Sequence, residues 1–276
     1  MPDPSAAPMW SRRVLLLVLA TIVVAGLGGV GGIGVWAYSI LHRDGSPAGG
    51  QALSRTTAGA AGGGSTSGQA YRDELAARPM LTVPESASQP GSPSLTPGPN
   101  IVIPPAGKAG PLNVATGYSR TAQGAAGQLA AIDQAALQPM SIQTAHAVHD
   151  AWSAPGAPGA DEWIVTAHVA AFLGSRAGRM LTDPGRAVVL TPVAAQIKGT
   201  DGQDWVIPCV LYEVTATAAS TAQMAYGRCE RMQWDELDSR WVIAPGAPPV
   251  LAPATWPGTD LAHQAGWASW TSARQQ

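Results

Sequence analysis

No charged side chain interrupts the chain from Val14 to Tyr38, "VLLLVLATIVVAGLGGVGGIGVWAY". This run constrains the whole molecule. In hydrocarbon every backbone polar group must be paired within its own segment, and a helix of about 20 apolar residues crosses the bilayer core. A buried core helix rarely stays uncharged over such a length, and the apolar region of a secretory signal covers only about 7–15 residues. The sequence therefore predicts a short cytoplasmic tail over residues 1–13 and a transmembrane signal anchor over residues 14–38. The alternative is a cleaved signal peptide, with Val35-Trp36-Ala37 as a weak cleavage site. Arg12 and Arg13 precede the run and Arg43 alone follows it closely, so the positive-inside rule puts the N-terminus in the cytoplasm. The expected location is the cell membrane, single-pass, with the C-terminal domain extracytoplasmic.

Within the span, Gly28 and Gly32 form a G-x-x-x-G pair that Ala25 and Gly29 extend. Small residues at that spacing let two helix backbones approach, favouring self-association or docking on another membrane protein, although Gly is also simply common in such helices. Residues 39–110 are expected to be a Gly/Ser/Pro-rich linker. "GSPAGGQALSRTTAGAAGGGSTSGQ" is flexible and "PESASQPGSPSLTPGPNIVIPPAGKAGP" is dominated by Pro, so neither buries enough apolar surface to offset its ordering entropy. Between them, "AYRDELAARPMLTVPE" is compatible with a short helix and an extended strap. The composition, 12% charged residues with 32 Gly and 24 Pro, fits this arrangement better than one continuous globule. A net charge of −2 leaves no basic footprint for direct binding of nucleic acid.

Residues 111–276 are expected to form the folded domain. Ala122, Ala125, Ala126, Leu129, Ile132 and Ala136 recur at helical spacing, with Ser119 or Thr121 as N-cap, which predicts a helix from about Ala122 to Leu137. A second helix places Ile142, Ala145, His149 and Trp152 on one face. A third, "ADEWIVTAHVAAFLGSRAG", is expected to carry Asp161 and Glu162 at its positive end. Four strands follow: "RAVVLTPVAAQIKG", "DWVIPCVLYEVTATA", "AQMAYGRCERMQW" and "RWVIAPG". The simplest arrangement is α+β, with helices packed on the concave face of a curved antiparallel sheet. "WPGTDLAHQAGWASW" is expected to add a last short helix carrying Trp267 and Trp270.

The chain has two cysteines, Cys209 and Cys229. If the second and third strands form a hairpin turning at Ala218, Ala219 and Ser220, the two are equidistant from its centre. Opposed residues have Cα atoms about 4.5–5.5 Å apart, within reach of a disulfide. Outside the cytoplasm such bonds persist. The expectation is a Cys209–Cys229 bridge, the alternative two reduced, buried thiols.

Signals for chemistry are weak. His146 and His149 lie one helical turn apart with Asp150 adjacent, but a metal site needs more ligands than these, and solvent-facing or core histidines are the plainer reading. Asp204, Glu213, His168 and Tyr212 are titratable residues of the helix-and-sheet region, yet their spacing does not single them out. No catalytic residue, metal or cofactor is therefore assigned. Trp163, Trp205, Trp234 and Trp241 read as core, whereas Trp256, Trp267 and Trp270 are candidates for a docking or glycan-stacking surface.

The order of anchor, tether, three helices and curved sheet resembles extracytoplasmic domains with a nuclear-transport-factor-2-like fold, including the inner-membrane scaffold proteins of type IV secretion and conjugation systems. "ARPML", "GYSRTAQGAAGQLAAIDQ", "GTDGQDWVIPCVLYEV", "GRCERMQW" and "RWVIAPG" look like segments of actinobacterial membrane proteins associated with mobile elements, over roughly residues 76 to 270. The resemblance implies a non-enzymatic scaffold or assembly subunit, with other membrane or cell-envelope proteins as partners. A binding module for cell-wall glycan or a small ligand is the alternative, since fold does not fix function.

Overall fold

Strict alternation of apolar and polar residues fails in the strand that organises the domain. In "WVIPCVLY" every residue from Trp205 to Tyr212 is buried. Successive side chains on a strand point to opposite faces, so an unbroken buried run requires a cover on both sides. The computed structural model, which describes residues 67–175, 187–217 and 221–273, supplies both covers. The expected membrane span, including Arg12, Arg13, Ala25, Gly28, Gly29 and Gly32, lies outside the described residues, among which no helix is long and apolar enough to cross a membrane.

The described elements are helix α1 (Gln69–Ala77), strands β1 (Asn100–Ile103), β2 (Lys108–Ala109) and β3 (Ala115–Thr116), then helices α2 (Ala122–Leu137), α3 (Ile142–Trp152) and α4 (Ile164–Gly174). Strands β4 (Ala187–Thr200), β5 (Trp205–Thr217), β6 (Thr221–Cys229), β7 (Met232–Asp235) and β8 (Arg240–Ile243) follow, with helix α5 (Asp260–Gln264) and strand β9 (Ala268–Ser272) last. The domain is α+β: helices lie on a strongly curled, largely antiparallel sheet of order β1-β9-β4-β5-β7-β8, with β6 also paired to β5. Only β1 and β9 run parallel. Register shifts in β4 at Pro192/Ala194 and Ile197/Gly199 bend the long β4–β5 pair, as bulges do.

On one face, Val206, Val210 and Tyr212 of β5 pack against Leu129 and Ile132 of α2 and Val148 and Trp152 of α3. Thr121 caps α2 by accepting from the Gly124 N–H, and Ser141 caps α3 by accepting from Thr144. Helix α4 starts later than expected. Asp161 and Glu162 precede it, and Trp163 stands at its N-cap, because the indole is drawn into the interior.

On the other face, Trp205, Ile207, Cys209 and Leu211 pack against Leu75, Ala76, Ala252, Ala262 and Trp267. Much of this second cover comes from the segment expected to be linker, and that expectation is corrected: from residue 67 the chain is part of the domain. Leu75 of α1 sits directly over Gly199, where a Cβ would lie 2.8 Å from Leu75 Cδ1. Lys198 Nζ donates to the Ala76 carbonyl at 2.7 Å, and Trp256 N–H donates to the Ala87 carbonyl at 2.6 Å. The Pro-rich stretch forms short local structure, a 3-10 turn at Glu85–Ser88 and strand β2, which pairs with β3. It is held by donors from elsewhere and by the apolar face it covers, and its residues 100–103 enter the main sheet as β1.

Two further expectations change. "AQMAYGRCERMQW" is two strands, β6 and β7, broken at Glu230 and Arg231. Helix α5 ends before Trp267, because Gly266, at φ 86°, turns the chain into β9, which carries Trp270. The cysteines are where the hairpin geometry places them: Cys209 and Cys229 are opposed in the β5–β6 ladder and joined by a disulfide, and the turn at 218–220 lies outside the described residues.

Candidate ligand cleft

The two charged residues of "GRCERM" that face the helices explain the break after β6. Along β6, Tyr226 and Arg228 point to the helical side while Ala225 and Cys229 point to the second cover. Burying Arg228, which is 3% exposed, requires counter-charges. One comes from Asp133, fully buried on the otherwise Ala- and Gly-rich α2, whose Oδ1 accepts from Arg228 Nη1. The other is Glu230, whose Oε2 accepts from Arg228 Nη2. Tyr212 of β5 donates its hydroxyl to Asp133 Oδ2 at 2.6 Å. Glu230 Oε2 also takes the Trp163 indole N–H at 3.0 Å, and its Oε1 takes the Arg231 backbone N–H at 3.0 Å. Leaving the ladder at Glu230 is what lets that carboxylate turn back to the guanidinium.

Above this cluster lies a cleft of about 700 Å³. Its floor carries His149 of α3, Trp163 and His168 at the start of α4, and Tyr226 and Arg228 of β6; its wall is the apolar segment 247–254. The Arg228 guanidinium stacks 5.2 Å from the Trp163 ring centroid, and His149 lies 5.2 Å from the same ring. His168 Nδ1 shares a hydrogen bond of 2.8 Å with the Tyr226 hydroxyl. Among the described residues, Arg228 Nε, His168 Nε2 and His149 Nε2 have no hydrogen-bond partner, and His149 Nδ1 lies 3.6 Å from Asp150 Oδ1.

Burial sets the protonation states. It pushes the Asp133 carboxyl above its ordinary range, against the pull of Arg228 and Tyr212. Burial would depress the Arg228 guanidinium, but Asp133 and Glu230 outweigh it and hold the pKa above the ordinary value. His168 is pushed down to about 4, first by burial and then by the Arg228 charge, so it is neutral at physiological pH. His149 is lowered by burial as well, and Tyr226 and Tyr212 are raised by it.

The residues singled out in the sequence are only partly brought together. Of Asp204, Glu213, His168 and Tyr212, the last two reach the cluster. Asp204 pairs with Arg120 at the surface, and Glu213 accepts from Gln223 Nε2 at 2.6 Å. His146 and His149 diverge. His146 Nε2 lies 3.3 Å from Asp161, His149 lines the cleft, and the described residues contain no group of metal ligands. Trp205 and Trp241 are core, Trp234 packs edge-on against Trp241, and Trp163 belongs to the cleft. Of Trp256, Trp267 and Trp270, the expected docking surface, Trp267 is corrected to the core. Trp267 is 1% exposed and donates to the Pro253 carbonyl, and Trp256 and Trp270 are half-buried against the two cores. Asp133, Arg228 and Glu230 were missed. The signal was a lone acid in an Ala/Gly helix and a charged pair in an apolar strand.

No protein-family model matches this chain, and no curated protein or solved structure matches it either.

Proposed function

We propose that this chain is a single-pass, membrane-anchored protein of the cell envelope whose extracytoplasmic domain is a non-enzymatic binding module, with the cleft taking a small amphipathic ligand. The observation that carries this reading is the cleft itself: an apolar wall facing a short polar floor, at a volume typical of small-molecule sites. General acid–base catalysis works best with a pKa near the operating pH. The floor groups are displaced the other way, His168 down to about 4 and Tyr226 and Arg228 upward. The uncharged run at Val14–Tyr38 supports the anchor, and the paired cysteines fit an oxidising compartment. A nuclear-transport-factor-2-like architecture is part of this proposal, supported by helices lying across a curled, largely antiparallel sheet. The test is binding of a neutral solvatochromic dye, Nile red, to the purified full chain. Saturable fluorescence that is lost when Ala254→Trp fills the cleft supports the reading; a signal that does not saturate, or that the substitution leaves unchanged, refutes it.

A second reading, an assembly subunit of a conjugative or type IV secretion-like apparatus, has one observation in its favour. Strand β1 pairs with β9 alone among the described strands, and Val102 on it is 55% exposed, leaving an edge to which a partner strand can add. In-cell crosslinking from Val102 that captures polytopic membrane subunits or a transfer ATPase supports it; crosslinks only within the chain count against it.

A further inference from the structure

Resting on the reading of the cleft as a binding site, we infer that its ligand is a neutral amphiphile: an apolar acyl-type chain ending in an uncharged group that both accepts and donates hydrogen bonds, such as a hydroxyl. The carboxylate oxygens of Asp133 and Glu230 are all engaged, by Arg228, Tyr212, Trp163 and the Arg231 backbone. A cationic head group on the floor would therefore meet the Arg228 guanidinium with both buried carboxylates already engaged; the Glu162 carboxylate is exposed at the rim, outside that floor.

An anionic head fares no better. Arg228, the one cation lining the cleft, is already bonded to two carboxylates, and Glu162 stands at the rim. Burying a further negative charge beside them lacks a counter-ion. The atoms left unmet are of another kind: the Arg228 Nε–H, a donor, His168 Nε2, whose Nδ1 is shared with the Tyr226 hydroxyl, and His149 Nε2, whose Nδ1 lies 3.6 Å from Asp150 Oδ1; a neutral imidazole nitrogen donates or accepts according to its tautomer. Arg228 and His149 are each 3% exposed, so these two are nine-tenths buried, while His168 is partly buried beside them. An unpaired buried polar group is costly, and a head group that bonds to it relieves that cost on entry. A hydroxyl, as both donor and acceptor, is suited to a guanidinium N–H beside neutral imidazole. The wall of Pro248, Pro249, Val250, Leu251 and Ala252 offers only apolar surface to the rest of the ligand.

The test is displacement of Nile red from the full chain by decyl compounds that differ only at the head, used below their aggregation thresholds: decanol and monodecanoylglycerol against decanoate, decyl phosphate and decyltrimethylammonium. The alcohol and the glycerol ester are expected to displace the dye at concentrations at least about tenfold lower than the charged compounds, the difference a lost or gained hydrogen bond makes. His168→Phe, which keeps a ring in place and removes the free Nε2, is expected to narrow that gap. Equal displacement by all five heads, tighter binding of a charged head, or dye binding that none of them competes overturns the inference while leaving the cleft a binding site. Failure of the dye itself to bind saturably overturns the underlying reading, and the inference with it.

Discussion

Replacing Arg228 with Met keeps the length and apolar stem of the side chain and removes its charge. Asp133, fully buried, retains the Tyr212 hydroxyl, and Glu230 retains the Trp163 and Arg231 N–H groups, but two carboxylates then face each other in the interior without a cation. Breaking a buried ion pair from one side costs about 3–5 kcal/mol. Asp133→Asn leaves Arg228 paired with Glu230 and disturbs mainly one hydrogen bond, so its expected cost is smaller, about 1–3 kcal/mol. The triple change Arg228→Met, Asp133→Asn, Glu230→Gln leaves no buried charge and is expected to recover part of the loss. Equilibrium urea unfolding followed by tryptophan fluorescence measures all three. A pH signature goes with it. A carboxyl whose folded pKa is raised is favoured in its protonated form by the fold, so its contribution is present at low pH and is lost as pH rises through the folded value. Asp133 is already raised, and removal of Arg228 raises it further. The deficit of the variant is therefore larger at about pH 8 than at about pH 5. A cost below about 1 kcal/mol that does not change with pH would refute a closed, water-free cluster.

Three other outcomes follow from the same packing. His168, lowered to about 4 from 6.5, is neutral in the fold, so stability is full above pH 6.5 and is lost as pH falls toward 4, by up to about 1.4 kcal/mol per pH unit; His168→Phe is expected to flatten a plot of urea midpoint against pH. Leu75→Ala is expected to cost about 2–5 kcal/mol, because Leu75 is buried over Gly199, whereas a linker residue would show no change in unfolding midpoint. Reduction of the Cys209–Cys229 bond, or its replacement by two alanines, is expected to lower stability by roughly 2–3 kcal/mol; alkylation of both thiols without reductant would contradict the pairing.

The local elements were legible where local rules decide them. Thr121 and Ser141 cap α2 and α3, and the two β-rich runs pair in the register that brings Cys209 opposite Cys229. What escaped was set by contacts distant in sequence. The Pro-rich stretch before residue 110 lacks the means to order itself, and its order comes from the second face of β5, whose need for a cover was written in the unbroken run "WVIPCVLY". Trp267 is expected on the last short helix, but that helix ends at Gln264 and Gly266 turns the indole inward. The cleft draws on α3, α4, β6 and the 247–254 segment. The Asp133 carboxylate beneath it is 95 residues from its partner Arg228, a separation at which no spacing rule operates.

The central claim, that the cleft holds an apolar chain, is tested most directly by photolabelling the full chain with a decyl alcohol that bears an alkyl diazirine, then mapping the modified peptides by mass spectrometry. The account predicts labels within residues 156–168 and 243–254, suppressed by excess decanol and lost in Ala254→Trp, since these segments line the cleft. Labels gathered instead on exposed leucines such as Leu95 and Leu237, or insensitive to decanol, would contradict it.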